Sequence, residues 1–468
     1  MIALALFAIF LTAVGLALLT SHKGAIATTD RIHAIGLTET ALEGTRGIRD
    51  RSFTELTTGP HGVRVGSGSL GMRWMFDGTS VRTVDGFSTS VTIESLSSSR
   101  VRATAATTWN HALGRSGSVV LATELHDWQS TKAIGSWTSP RLAGQYVASG
   151  TPLFNDVAVF GTYVFVSSET SSGGRGLYVF DVSNPASPTR IATAFDLGAA
   201  GGDMVIYGTT LYILTDSITQ EIRAYDITSP TTFSSAALVA TYNLAGSSRG
   251  RSLALSATTL LVGAAQDATE QELYTFDVSV PSAITLLGST DDTGVVQAIA
   301  ARGSYAYIAS GVDTSELRVA SIVSPASPQM PSGSGANLTD VLDGQAIAVT
   351  GTAAVLGRAL GAAIDELAYY PLPVVSAMPS TPPGPWTLDT GGAVNGIEID
   401  PGGRYAFAAS NGTTKQLRVL DLRTWKTGTA ERGYYTVASG NGRGLAYDAW
   451  NDRVYLVTNT GLLVILPS

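Results

Sequence analysis

The spacing of apolar and polar residues in the first part of the chain predicts a long helix. Residues 1–21 are almost wholly apolar and carry no charge. Between residues 22 and 56, charged residues alternate with apolar ones at helical spacing, which predicts one buried and one wet face. We therefore predict a helix over 1–56, with an apolar half at 1–21 and an amphipathic half at 22–56. The apolar face of its second half carries Ile26, Ile32, Ile35, Leu42 and Ile48.

Residues 57–128 change to two-residue alternation. The segments VRVGSGSLGMRWMF, GFSTSVTIESL, RVRATAATTW and GSVVLATEL each alternate, as antiparallel strands with one buried face do. A sheet of this size buries little surface alone. We therefore predict a small β-domain whose core includes the amphipathic half of the helix.

From residue 129 onward, a strand that ends in aspartate and is followed by a turn recurs along the chain. Asp181, Asp226 and Asp277 follow one another at intervals of 45 and 51 residues, and Asp421 marks a later copy. Two further strands precede each marker strand. About four short strands per repeat of this length indicate the blade of a β-propeller. Seven repeats predict a seven-bladed propeller over 151–468.

The last repeat ends at Ser468 after only three strands. Residues 129–150 are predicted to be a linker and a closing strand, because SWTSPRLAGQYVA at 136–148 matches the outer strands of the other repeats. Pairing this strand with the last blade would close the ring and remove exposed sheet edges.

Two family resemblances follow from these residues. The repeats of 136–468 resemble LVIVD-type repeats, and DPGGRYAFAAS at 400–410 resembles YVTN-type surface propellers. ETALEGTRGIRDRSFTELTTGPHG at 39–62 and the strands that follow resemble type IV pilins. The predicted fold class is thus an α+β pilin-like N-terminal module (a long helix plus a small antiparallel sheet) followed by an all-β seven-bladed propeller.

Three interpretations of the apolar segment remain open. A cleaved secretory signal has a basic region before its apolar core, and none is present here. A plain membrane anchor is the second, since about 20 apolar residues span a bilayer. The third follows from the pilin resemblance, which implies polymerisation through the apolar helix after loss of a basic leader. Ala5 departs from that family's usual glutamate. The predicted assembly residues are Met1, Ile2, Leu4, Ala5, Leu6, Phe7, Phe10, Leu11, Val14 and Leu18.

Composition narrows the chemistry. The net charge of −8 and the lack of a basic stripe argue against a nucleic-acid partner. There is no cysteine, and all five histidines (His22, His33, His61, His111 and His126) precede the propeller. The propeller sequence therefore excludes Ser–His and Cys–His catalysis and any histidine or cysteine metal centre. We predict no catalytic residue, no metal and no cofactor, and hence no enzyme.

Remaining candidates are carboxylates, tryptophans and glycosylation sequons. The marker aspartates are expected to cap turns, with a calcium site in the channel as the alternative. The adjacent pairs Asp291–Asp292 and Asp365–Glu366 are expected to point to opposite faces of their strands. Tyrosines and phenylalanines of the second strands are expected in the core between blades. The candidate surface-recognition residues are Trp386, Trp425 and Trp450, and the candidate glycosylation sites are Asn337 and Asn411.

These patterns predict an extracellular structural subunit of a type IV pilus-like filament on the cell surface. It would form a homopolymer through its N-terminal helices, sit in the inner membrane before assembly, and display the propeller for adhesion to glycans or other cell-surface ligands. The alternative is a membrane-anchored extracellular propeller that acts singly as a binding protein or a carboxylate-dependent enzyme. A propeller alone does not decide between them.

Overall fold

The computed structural model divides the chain into two compact units, Met1–Thr131 and Lys132–Ser468. Each unit is treated by itself. The structure describes residues 14, 28–49, 53–68, 71–97, 100–110, 116–126, 134–148, 152–169, 176–191, 195–246, 249–266, 269–292, 294–312, 314–331, 334–338, 342–351, 353–361, 364–372, 386–425 and 430–468.

The N-terminal unit consists of one described helix, α1 (28–49), and seven strands. One sheet has the order β1-β5-β6-β7, with β4 paired to β5, and β2 and β3 form a separate hairpin. Apolar residues of α1, among them Leu42 and Ile48, pack against Val91 and Ala103 of the larger sheet. The strands are β1 (Gly59–His61), β2 (Val63–Gly68), β3 (Gly71–Phe76), β4 (Arg82–Val84), β5 (Phe87–Ser97), β6 (Arg100–Asn110) and β7 (Ser116–His126).

The predicted fold class is wrong in its N-terminal half, because no pilin-like module of long helix plus small sheet is evident. Strands dominate the described part of this unit, and α1 is described up to residue 49, with 50–52 outside the described residues. Phe53–Glu55 forms a single 3-10 turn, and β1 begins at Gly59, whose φ of 120° favours glycine. Apolar spacing alone could not reveal that residues 53–55 leave the α-helix, since Phe53 still packs against the core that α1 helps to form.

The predicted assembly helix falls mostly outside the described residues. Of its ten named positions, Val14 is described, and it is helical and exposed. Within the described residues, no helix combines the length and the apolar character needed to cross a membrane.

The second unit contains seven four-stranded antiparallel sheets, which are the blades of a propeller. The inner strand is the first strand along the chain in blades 1 to 6, and it is β33 in blade 7. Blade 1 consists of β9 (Phe154–Phe160), β10 (Tyr163–Ser168), β11 (Leu177–Asp181) and β12 (Thr189–Arg190), and blade 2 of β13 (Gly201–Tyr207), β14 (Thr210–Thr215), β15 (Ile222–Asp226) and β16 (Leu238–Tyr242). Blade 3 consists of β17 (Gly250–Ser256), β18 (Thr259–Ala264), β19 (Leu273–Asp277) and β20 (Thr285–Thr290), and blade 4 of β21 (Val296–Arg302), β22 (Tyr305–Ser310), β23 (Leu317–Ser321) and β24 (Gly335–Ala336).

The remaining three blades complete the ring. Blade 7 takes its outer strand from the beginning of the unit: β8 (Arg141–Val147) pairs antiparallel with β35. Blade 5 consists of β25 (Gly344–Val349), β26 (Ala353–Arg358), β27 (Leu367–Pro371) and β28 (Trp386–Leu388), and blade 6 of β29 (Val394–Ile399), β30 (Tyr405–Ser410), β31 (Leu417–Asp421) and β32 (Glu431–Tyr435). Blade 7 consists of β33 (Gly442–Asp448), β34 (Arg453–Thr458), β35 (Gly461–Leu466) and β8.

The inner strands lie next to one another around the ring in the order β9-β13-β17-β21-β25-β29-β33, and β33 contacts β9 again. The core lies between successive blades, where aromatic side chains of the second strands are buried as expected. The fully buried examples are Phe165, Tyr212, Tyr307, Tyr405, Phe407 and Tyr455. This arrangement leaves the inner ends of the blades to enclose a central channel.

Two local devices repeat in the blades. The turn between inner and second strand uses a left-handed residue, Gly161, Gly208 and Gly303 in blades 1, 2 and 4 and Asp452 in blade 7. The inner strand of every blade also contains a register shift near its start, as between Gly201 and Met204 of β13. Such bulges re-aim the first side chains of a strand, and here those side chains face the channel.

Candidate functional site

A cavity of about 780 Å³ occupies the centre of the propeller. All seven inner strands contribute to its wall, and its mouth is formed by the loops before these strands and after the second strands. Glu169, Asp216 and Asn411 belong to the latter loops and Arg249 and Asn441 to the former. Its volume lies within the usual range for small-molecule sites, about 300–1,000 Å³.

A ring of polar side chains surrounds the cavity at one level. It is formed by the second residue of each inner strand, and we call it the amide ring because four of its members are amides. Amides offer both donors and acceptors, and guanidinium groups offer donors only. Such a ring can bind hydroxyl groups from several directions. Its members are Asn155, Gly202, Arg251, Gln297, Gln345, Asn395 and Arg443.

The next residue of the inner strand links neighbouring blades. In blades 1, 2 and 3 it is Asp156, Asp203 or Ser252, and each accepts a backbone N–H of the following blade. Asp156 accepts from Met204 at 2.9 Å, Asp203 from Leu253 at 2.7 Å, and Ser252 from Ile299 at 3.0 Å. These hydrogen bonds hold the inner strands at a fixed spacing around the cavity.

Asp156 and Asp203 also interact directly with each other. Burial raises the pKa of both carboxyl groups, and the nearby charge of Asp203 raises that of Asp156 further. The Met204 N–H is shared between them, since Asp203 accepts it at 2.8 Å. Two carboxyl groups so close cannot both ionise readily, so the pair favours retention of one proton.

Glu398 lies further along its inner strand, directly after the buried Ile397. The equivalent residues of the other six blades are small and apolar: Ala158, Val205, Ala254, Ala300, Ala348 and Ala446. The Glu398 side chain lines the cavity and is exposed to it, and the cavity opens at its mouth. Desolvation by the surrounding protein, with the charge of Asp203, raises the pKa of Glu398 to about 7.

The arginines at the mouth differ in their partners. Arg443 forms an ion pair with Glu169 and also reaches Asn155 Oδ1 at 3.4 Å. Arg249 donates to the Asp216 carbonyl. Arg251 is exposed in the cavity, and no described residue accepts a hydrogen bond from it. The mouth thus keeps one guanidinium available to a ligand.

The predicted recognition tryptophans occupy three different environments. Trp450 is 78% exposed in the turn between β33 and β34. Trp386 is half-buried on β28, with its ring 5.9 Å from that of Tyr369. Trp425 is buried in the core between blades and stacks on Tyr369 at 5.4 Å. A surface role for Trp425 therefore needs correction, because a ring with 2% exposure has no free face for a ligand.

The two candidate glycosylation asparagines are both exposed. Asn337 follows β24 at the outer edge of blade 4, and Asn411 lies at the mouth of the cavity. Their modification stays a prediction.

The marker aspartates cap turns, as the sequence analysis predicts. Asp181, Asp226 and Asp277 each accept the backbone N–H two residues ahead, at 2.8, 2.9 and 2.9 Å. The Ser279 N–H lowers the pKa of Asp277. Asp421 accepts the Arg423 N–H at 3.1 Å and pairs with its guanidinium. None of these aspartates lines the cavity, and no described group of three or more His, Cys, Asp or Glu residues could hold a metal ion.

The sequence analysis did not identify a second repeated set of side chains, which are glutamates or glutamine. A buried glutamate or glutamine precedes the third strand of five blades and accepts a backbone N–H from the loop that leads to the next inner strand. Repeat alignment on the marker strands would have found it. The pairs are Glu221 with Leu244 at 3.1 Å, Glu272 with Asp292 at 3.0 Å, Glu316 with Leu338 at 3.0 Å, Glu366 with Thr390 at 2.8 Å, and Gln416 with Val437 at 3.0 Å.

The adjacent carboxylates of the loops behave differently from each other. Asp291 is exposed, whereas Asp292 is fully buried and pairs with Arg318 at 3.1 Å. Burial raises the pKa of Asp292 to about 6, although Arg318 opposes the shift. In the second pair, Glu366 is buried. Both buried members are structural, so the chemistry of the cavity comes from residues that sequence reasoning did not single out.

Comparison with known proteins supports the propeller. Residues 154–193 and 293–330, in blades 1 and 4, match the model of the LVIVD repeat. No curated protein matches the chain. No match supports a pilin-like region. The confirmed part of the predicted resemblance is therefore the β-propeller with LVIVD repeats.

Solved structures that are similar to this chain include WD40 propeller domains. The WD40 propeller domain of Doa1 is 11% identical with a TM-score of 0.52, covering 70% of this chain and 97% of that one. The Neurospora crassa Pan2 WD40 domain (9%, 0.49, 72% and 98%) and a chain of a mitotic checkpoint complex (14%, 0.48, 70% and 92%) are also similar. At this identity the likeness to Doa1 shows the fold alone. Residues 132–468 form a β-propeller.

Proposed function

We propose that this protein is an extracellular, non-catalytic binding protein whose propeller holds a hydroxyl-rich ligand, a glycan, in its central cavity. The observation that carries the proposal is the amide ring at the mouth of the 780 Å³ cavity. Amides and guanidinium groups on six of seven blades give a small ligand donors and acceptors from all directions.

Carbohydrate suits this wall better than an apolar ligand. Gln297, Gln345 and Asn395 occupy three consecutive blades at the same level, so they can contact neighbouring hydroxyl groups of one sugar ring. Arg251 adds a guanidinium without a described partner. An apolar ligand would cover the side chains of Gln297, Gln345 and Arg251 without giving them hydrogen bonds, whereas Asn395 already donates to the Gly442 carbonyl at 2.7 Å.

The proposal of a non-catalytic role rests on the chemistry of the wall. Residues 127–468 contain neither histidine nor cysteine, which removes the usual nucleophile–base pairs. Asp156 and Asp203 face the cavity, but backbone N–H groups bind one oxygen of Asp156 and both oxygens of Asp203. We therefore assign these two carboxylates to the structure of the wall.

Replacing Gln297 and Gln345 together by alanine is expected to weaken glycan binding at least tenfold. Each amide contributes about 0.5–1.5 kcal/mol to a hydrogen-bonded contact, and tenfold corresponds to about 1.4 kcal/mol. The measurement is calorimetric titration of the full chain with the best ligand from a glycan array. Gln329→Ala, an exposed glutamine near the outer edge of blade 4, is the matched control and should bind as the wild type does.

Two results would contradict the proposal. One is equal affinity of the double variant and the wild type. The other is the absence of any glycan ligand for a correctly folded full chain.

The extracellular setting and the homopolymer rest on the apolar segment of residues 1–21. The double substitution Phe7→Asp with Leu11→Asp is expected to abolish filaments, because charges inside packed apolar helices are expensive. Electron microscopy of material sheared from cells gives the readout. The control is Ile32→Asp, at a position of α1 that is 65% exposed. Filaments that persist in the double variant would exclude this segment as the assembly element, and detergent-extracted single particles would favour the anchored propeller.

A further inference from the structure

We infer that Glu398 binds a protonated amine, so that the ligand of the cavity is an amino sugar with a free amino group. This inference rests on the proposed function and specifies its ligand. It follows from the position of one carboxylate that lines the cavity where the other six blades carry alanine or valine.

Glu398 breaks the repeat at its position. Six blades place alanine or valine there, and these side chains pack into the cores between blades. A glutamate contributes nothing to such packing. Glu398 instead reaches the cavity, where it accepts no hydrogen bond and forms no ion pair with any described residue. A carboxylate that lines the cavity and has no described partner can form a charge-assisted hydrogen bond with a cationic group of a ligand.

The charged and titratable groups around Glu398 include no cation that neutralises it. Inner strand β25 on one side carries none, and β33 on the other carries Arg443, Tyr447 and Asp448. Arg443 pairs with Glu169, and the Tyr447 hydroxyl donates to Asp452 at 2.8 Å. The adjacent strand β30 carries Tyr405.

Across the cavity, Asp203 acts on Glu398 with the same sign, and Asp156 lies beside Asp203. The inner wall is therefore acidic, whereas the mouth presents Arg251 and amides. A sugar whose ammonium group points inward and whose hydroxyl groups remain at the amide ring matches this distribution of charge. A neutral sugar would match the ring alone.

Proton release gives a test that does not depend on affinity. Glu398 has a pKa raised to about 7, so at pH 6.5 most free protein carries a protonated carboxyl. An ammonium ligand favours the ionised form, so binding must release about 0.7 proton from this group at pH 6.5. Calorimetry of the full chain with glucosamine, in buffers of different ionisation enthalpy, measures this number.

The expected result is release of about 0.7 proton by the wild type and none by Glu398→Gln, which keeps the shape of the side chain. Glu398→Gln should also bind glucosamine about tenfold more weakly, which corresponds to the loss of one ion pair, and bind N-acetylglucosamine as the wild type does. Glu94→Gln, at an exposed glutamate of the N-terminal unit, is the matched control.

Other outcomes overturn the inference in distinguishable ways. Equal binding of glucosamine and N-acetylglucosamine, without proton release, would refute the amine site and leave the glycan proposal standing. Binding of lysine amide but not of glucosamine would refute the amino sugar as the ligand. Failure of every sugar to bind would refute both the inference and the proposed function.

Discussion

Replacing Asp452 by glycine is expected to lower the free energy of unfolding of the propeller by about 4 kcal/mol, the largest effect of any single substitution that we predict. The Asp452 carboxylate joins the two ends of the propeller chain. It accepts the Gly135 N–H at 2.6 Å, the Trp137 indole N–H at 3.0 Å and the Tyr447 hydroxyl at 2.8 Å.

The size of the effect follows from burial. Asp452 is 8% exposed and Trp137 is fully buried, in contact with Phe407 at a ring distance of 4.8 Å. Loss of the carboxylate leaves donors without acceptors in this core, at about 1–3 kcal/mol each. The closing strand β8 follows Trp137 directly, so its pairing with β35 should loosen in the same transition.

Glycine is the informative substitution because the backbone at Asp452 is left-handed, with a φ of 52°. Equivalent turns of other blades use glycine there, so Asp452→Gly removes the hydrogen bonds without adding strain. Ala257→Gly is the matched control, since Ala257 has the same φ in blade 3 and makes no such bonds. Urea unfolding followed by tryptophan fluorescence gives the measurement. A loss below about 1 kcal/mol for Asp452→Gly would show that the closure does not depend on this carboxylate.

Replacing Glu366 by alanine is expected to destabilise the propeller by about 3 kcal/mol and to weaken ligand binding in the cavity. Glu366 is 1% exposed, and its carboxylate accepts the Thr390 N–H at 2.8 Å and the Thr390 hydroxyl at 3.1 Å. Thr390 lies in the loop before β29, the strand that carries Asn395 and Glu398. Without Glu366 the loop loses its anchor, and both cavity residues lose their fixed position.

Glu366→Gln provides the control for this prediction. Blade 6 already uses glutamine at the equivalent position, where Gln416 accepts the Val437 N–H at 3.0 Å. We therefore expect Glu366→Gln to lose at most about 1 kcal/mol and to bind ligand normally. Urea unfolding and calorimetry on the same preparations measure both effects. If the glutamine variant were as unstable as the alanine variant, charge rather than the acceptor oxygen would explain the role of Glu366.

The blades could be predicted from the sequence because their signals are local and repeated. Each marker aspartate stands at the end of a strand and caps the next turn, and the same chemistry recurs after β11, β15, β19 and β31. The pattern at 136–148 similarly pointed to an outer strand. Local pattern and global fold agree in these segments.

The prediction of a helix up to residue 56 was wrong because it extended the helical spacing of apolar residues too far along the chain. Apolar residues at helical spacing continue beyond α1, but Phe53–Glu55 forms only a 3-10 turn and strands follow from Gly59. Short apolar segments do not distinguish a helix end from a packed turn. The resemblance to pilins rested on the same segment.

The cavity could not be predicted from motifs, because its residues come from seven inner strands and no two of them form a local pattern. Glu398 becomes visible only when the blades are aligned and a carboxylate appears where six others have alanine or valine. The burial of Trp425 also depends on tertiary packing, on Tyr369 of the preceding blade. From the sequence alone, Trp425 and Trp450 both lie near turns, and a surface-recognition role was predicted for both.

The most direct test of the central claim is a crystal structure of the full chain with a glucosamine oligosaccharide. The expected result is a sugar ring in the central cavity, with its hydroxyl groups on Gln297, Gln345 or Asn395 and its amino group at Glu398. A sugar bound elsewhere, for example on the exposed ring of Trp450, with the cavity filled by water alone, would contradict the assignment of the cavity as the binding site.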